Sequence, residues 1–216
     1  AEGNDTVSAQ GGYFAGDIDG GSGTNSFVAE VNTRSVVIGA VTNFETVRID
    51  GTLAGEFTVA GTLTNNGGVI SPGATAGSIG SIAASTYTET KPSEFDIDIA
   101  QPGVTPGRLN AGGVQPNDLV SVTGNASVNG QTTVRVGHVP GSQSTYQTGD
   151  CFYFLTANRV TVDGTVPQGK TSLSCITDSS FLSFEVWGAV DNKELHLRIV
   201  DVEPFAAAAT GAIMWR

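Results

Sequence analysis

Several residues in this chain have types and spacings that could do chemistry. Asp96 and Asp98 stand two apart in Ser93-Glu94-Phe95-Asp96-Ile97-Asp98-Ile99, so on an extended strand both carboxylates project from one face. Two carboxyls roughly 5 to 9.5 Å apart are the apparatus of glycoside hydrolysis. The same alternation is what any half-exposed strand carries, where charge also discourages edge-to-edge association. Asp17-Ile18-Asp19-Gly20-Gly21-Ser22-Gly23-Thr24-Asn25 joins oxygen ligands to tight glycine turns, as a calcium loop does, with Asp17 and Asp19 as candidate ligands. It lacks the regular Gly-Gly-x-Gly-x-Asp series that builds stacked sites, and a polar turn is the plainer reading.

Nucleophilic catalysis finds less support. The two histidines are His138 and His196, and neither stands near a Gly-x-Ser-x-Gly elbow. His138 precedes Pro140-Gly141 and reads as a solvated turn residue. His196 alternates with Leu195 and Leu197 and should point away from them, toward water. Cys151 and Cys175 lack the close spacing of a Cys-x-x-Cys redox or zinc pair and read as one structural disulfide in an oxidising compartment. No cofactor is expected, and the chain reads as non-catalytic.

The elements that must hold these residues are short strands. Their pattern is clearest in residues 63–73, Leu-Thr-Asn-Asn-Gly-Gly-Val-Ile-Ser-Pro-Gly, which reads as strand, turn, strand, turn. Strands this short gain stability only by stacking on neighbours of the same kind, as in a solenoid. Gly-Thr-Leu recurs at Gly51 and Gly61, with glycine at the corners. Upstream, Phe27-Val28-Ala29-Glu30-Val31 and Ser35-Val36-Val37-Ile38-Gly39 read as strands, and residues 41–49 alternate as one strand. Downstream, Phe95, Ile97 and Ile99 share a face, and residues 101–116 read as a surface loop.

Composition narrows the classes. The 216 residues include 29 Gly but only 10 Lys+Arg, a mixture suited to short strands with tight turns and poor in helix formers. A net charge of −11 without clustered cations argues against nucleic acid and anionic lipid as partners. No apolar run is long enough to span a bilayer as a helix.

The succession of motifs resembles the secreted passenger region of autotransporters of the pertactin type. Residues 63–73 resemble its late Asn-x-Gly-x-Leu/Ile-x-Pro-Gly coil, and Asn43-Phe44-Glu45 its recurring Asn-Phe-Glu rung. Asp118-Leu119-Val120-Ser121-Val122-Thr123-Gly124, then Tyr146, Gly149, Tyr153, Phe154, Leu155, Thr156 and Ala157, follow the order of the passenger's end. The resemblance spans about residues 43–200. It implies an all-β right-handed parallel β-helix with a C-terminal β cap, and a cap segment that promotes folding outside the outer membrane. One departure is the cysteine pair, which is scarce in chains that thread a narrow pore.

The expected organisation is an irregular start (1–12), β-helix rungs (13–73), a C-terminal autochaperone-like cap (74–200) and a connector tail (201–216). Phe95, Ile97, Ile99, Phe154, Leu155, Phe181 and Leu182 are the expected cap core. The expected function is that of a non-catalytic passenger portion, secreted or surface-displayed, monomeric, with a membrane β-barrel as its own C-terminal partner. The alternatives are an adhesin binding a host-cell surface protein or glycan through loops near Asp17 and Gly103, or a carbohydrate-active β-helix enzyme.

Overall fold

The computed structural model describes residues 3–75, 77–100, 117–139 and 146–203. These hold nineteen strands, joined in one curled sheet, and no helix. In chain order they are β1 (Thr6–Ala9), β2 (Gly12–Ala15), β3 (Ile18–Asp19), β4 (Ser26–Ala29), β5 (Arg34–Thr42), β6 (Thr46–Ile49) and β7 (Thr52–Asn66). Next come β8 (Val69–Pro72), β9 (Ser81–Lys91), β10 (Glu94–Ile99), β11 (Leu119–Val122), β12 (Asn125–Val128) and β13 (Thr133–His138). The last six are β14 (Cys151–Thr156), β15 (Arg159–Val162), β16 (Gly169–Lys170), β17 (Ser174–Thr177), β18 (Leu182–Gly188) and β19 (Glu194–Val202).

Most pairings are parallel and fall into three columns. One runs Val7, Phe27, Val47, Leu63, Tyr87, Ala126, Val160, each residue laterally beside the next. A second runs Gly12, Ser35, Leu53, Ile70, Phe95, Val134, Cys175. The third takes in Phe57, Ile82, Val120 and Leu155. Parallel strands buried on one face need a branched or aromatic residue at alternate positions, and the chain supplies them.

The columns enclose a continuous core. Phe14, Phe27 and Phe44 meet edge to face with centroids 6.3 and 6.1 Å apart, and Tyr87, Phe95 and Phe154 continue the aromatic line at 5.6 and 5.3 Å. Rings at these separations add to the gain from burial alone. The turn at residues 65–68 helps keep the columns in step. Gly67 takes φ 93°, in the left-handed region, and turns the corner from the end of β7 into β8, which runs parallel to the start of β7. Beside it the buried Asn65 accepts the Gly68 N–H at 2.8 Å and donates to the Tyr87 hydroxyl at 3.4 Å. The first Asn of the Asn-Asn-Gly-Gly turn is thus a buried bracket, not an exposed turn residue.

The structure corrects several expectations. The start, expected to be irregular through Gly12, already contains β1, because Thr6–Ala9 pair with Ser26–Ala29. The stretch from Asp17 to Asn25, read as a polar turn, contains β3, which pairs with Val41 and Thr42. Residues 41–49 are not one strand: Asn43 adopts φ 56° and breaks it into β5 and β6. The expected loop at 101–116, its Gly103 and most of the expected connector lie outside the described residues; Asp201 and Val202 belong to β19.

Candidate functional site

The end of the sheet is where the winding changes. β14 pairs in parallel with β11 on one edge, but its other edge is taken by β19 running antiparallel. β18 then pairs antiparallel with β19, and β16 with β18. Leu195, Leu197 and Ile199 of β19 are buried, with Leu195 opposite Leu155 and Leu197 opposite Phe152 of β14. Phe95, Ile97, Ile99, Phe154, Leu155 and Leu182 of the expected cap core are all buried there. Phe181 is the exception: it is only half-buried, because β18 begins one residue later, at Leu182.

Outward from this core, Tyr153, His196, Trp187 and Lys170 face one another across four strands. The Arg198 guanidinium lies 4.9 Å from the Trp187 ring centre, and Glu185 accepts hydrogen bonds from the Trp187 indole N–H, at 3.1 Å, and from the Lys170 ammonium, at 2.5 Å. His196 was expected in water. It is half-buried beside Tyr153, with ring centroids 5.2 Å apart, and loss of solvent, then the Arg198 charge, push its pKa down.

The second histidine departs further from expectation. His138 is not a solvated turn residue: its side chain is 1% exposed, packed near Tyr146 and Phe184, and its Nδ1 lies 2.6 Å from Asp178 Oδ1. It sits at the end of β13, in register with Ile99, a core position the sequence disguised by the Pro-Gly that follows.

Asp96 and Asp98 do share one face of β10, as the spacing requires. Their oxygens are engaged: Asp96 Oδ2 accepts from Ser71 Oγ at 3.3 Å, and Asp98 Oδ2 accepts the Gly77 N–H at 2.7 Å. A third carboxylate, Asp118, accepts the N–H groups of Gly80 at 2.7 Å and of Asp98 at 2.9 Å. Burial, with the charges of Asp98 and Asp96, pushes the Asp118 carboxyl up to about 8, against the lowering pull of its two N–H donors. Burial also raises Asp96 and Asp98. Asp98 and Asp118 therefore fasten the corner at residues 77–80 to β10 and the start of β11 through backbone N–H donors. Asp118 was missed as a site residue because its partners, Gly80 and Asp98, are set by folding alone.

Asp17 and Asp19 serve a similar purpose. Asp17 Oδ1 accepts the Ala40 N–H at 2.8 Å. Asp19 Oδ1 accepts the Gly21 N–H at 2.9 Å and the Asn43 amide at 2.7 Å, and these two bonds lower its pKa. Among the described residues no group of three or more His, Cys, Asp or Glu side chains is arranged to hold a metal ion.

The expected disulfide is not formed. Cys151 and Cys175 are free thiols on different columns: Cys151 lies opposite Arg198 on the closing sheet, whereas Cys175 sits beside Val134 in the Leu53–Ile70–Phe95 column. Burial raises both thiols, Cys175 to about 12, so neither is an activated nucleophile.

Fold and site together define an all-β protein of stacked parallel strands closed by an antiparallel sheet. No family model, curated protein or solved structure matches the chain.

Proposed function

We propose that this chain is a portion of the secreted passenger of a bacterial autotransporter, a right-handed parallel β-helix whose closing antiparallel sheet caps the stack and promotes its folding at the cell surface. The observation that carries this reading is the change of winding at β14. Three parallel columns run through most of the described chain, and then one edge is occupied by the antiparallel β19. An open stack exposes unpaired N–H and C=O groups and apolar side chains, and an antiparallel strand ends the template without extending it. The free thiols also suit a chain that must pass a narrow pore unfolded, which a disulfide-closed loop would hinder. In this reading the protein is a non-catalytic monomer, extracellular, with a membrane β-barrel as its own partner. The carboxylate row supports the non-catalytic part, since Asp98 and Asp118 hold backbone N–H groups and Asp96 the Ser71 hydroxyl.

Display at a cell surface tests the proposal. The 216 residues, placed between a secretion signal and an autotransporter membrane β-barrel, should reach the surface as a protease-resistant core. Deleting residues 182–202 should leave the displayed chain protease-sensitive or stalled in the periplasm. Equal resistance with and without those residues would refute the cap, and failure of the intact chain to cross would refute the passenger assignment.

A further inference from the structure

We propose that a groove on the outer face of β7, β9, β12 and β15 binds an extended acidic glycan, with hydroxyl side chains along its floor and Arg159 at one end taking the sugar carboxylate. The groove has a volume of about 460 Å³ and is lined by Thr62, Thr86, Thr88, Ser127, Arg159 and Thr161 among others. It arises from strand alternation. In Thr62-Leu63-Thr64, Thr86-Tyr87-Thr88, Asn125-Ala126-Ser127 and Arg159-Val160-Thr161 the middle residue is buried in the core, so the flanking two point outward.

Register then aligns the four triplets. Thr64, Thr88, Ser127 and Thr161 are lateral neighbours in one row. Thr62 beside Thr86, and Asn125 beside Arg159, form a second row. Neighbouring strands are about 4.8 Å apart, so four of them span roughly 14 Å, the reach of a short oligosaccharide. Such a row presents polar groups at a regular repeat, which suits a polymer with a regular repeat of hydroxyls. Thr86 donates to Thr62 at 2.9 Å and Thr161 turns to the Ala126 carbonyl at 3.4 Å, which leaves the hydroxyls of Thr88 and Ser127 for a ligand. Threonine has restricted χ1 on a strand, so little side-chain freedom is lost on binding.

Charge selects the class of glycan. The chain carries −11, yet no described lining residue is Asp or Glu. Arg159 is exposed and makes no ion pair among the described residues. A cation in an acid-free groove on an acidic protein favours a carboxylate there over a neutral sugar. The groove is built whatever the route of export, so this proposal stands apart from the passenger assignment.

The test is calorimetric titration of the purified chain with tetragalacturonate and with its neutral methyl ester. The acid should bind saturably and at least tenfold more tightly than the ester, with affinity falling as salt rises. Arg159→Gln should abolish that preference. Thr88→Val with Ser127→Ala should weaken the acid tenfold while the melting temperature stays unchanged, since Val keeps the branched shape. Absence of saturable binding by the acid at millimolar concentration, or binding indifferent to these variants, would overturn the proposal. So would competition by inorganic sulfate at equal affinity, which would reduce the site to a lone cation.

Discussion

Asp118 places a carboxyl where burial favours its neutral form, and the sign of the consequence can be worked out. With its pKa up to about 8 in the fold and near 3.9 unfolded, the native state binds more protons between those limits. Stability from this group is therefore fully present below about pH 4 and is lost as pH rises toward 8. Glu89, Asp96 and Asp98 are shifted in the same direction by burial. The melting temperature should be higher at pH 5 than at pH 8, and Asp118→Asn should flatten the dependence; a midpoint that climbs from pH 5 to pH 8 would contradict the assignment. The thiols give a second residue-scale prediction. Unreduced, denatured protein should titrate two thiols, and in the native state Cys175, more deeply placed than Cys151, should react far more slowly with a thiol reagent.

At the scale of the element, close approach of neighbouring strands is as demanding as apolar patterning. Gly55 on β7 lies so near the Val37 carbonyl that an added Cβ would sit 1.9 Å from its oxygen, and its φ is 124°. Gly55→Ala should therefore shift the backbone of β5 or β7 and lower stability by several kcal/mol, more than an ordinary strand substitution. On β10 the fully buried Phe95 bridges Tyr87 and Phe154. Truncating it to Ala should cost about 3 to 5 kcal/mol in denaturant unfolding. Asp96→Asn on the same strand leaves an amide that still accepts from Ser71, and it should change stability little.

Across the whole molecule, the two halves expected from sequence are one sheet, since β7 pairs with β9 and β8 with β10. Yet they are unequal. Residues 1–73 lack the closing sheet, and cutting there bares the edges of β7 and β8 that β9 and β10 cover. A 1–73 fragment should be unfolded or aggregated. Residues 74–216 keep Tyr87, Phe95, Phe152 and Phe154 in the core together with the antiparallel end. That fragment should show β-type circular dichroism and a cooperative melt. Recovery of 1–73 as a soluble, protease-resistant monomer would refute the account of the cap.

Alternation and glycine turns by themselves determined that this chain is all-β, and that Phe95, Ile97 and Ile99 turn inward while Asp96 and Asp98 turn out. These are local properties, set by a side-chain period of two and by the few residues that accept tight turns. Strand length was misjudged, since Thr52–Asn66 form one strand through both Gly-Thr-Leu copies. What lies beside what was decided by the tertiary structure. The cysteines fall on separate columns, His138 is drawn inside, and Asp118 meets Gly80 across a corner because strand register sets those neighbours. The Thr-x-Thr triplets were in plain view at residues 62–64 and 86–88, but as a pattern any half-exposed strand shows. Only stacking 62–64, 86–88, 125–127 and 159–161 in register turns four separate triplets into one groove, since lateral pairing joins residues far apart in the chain.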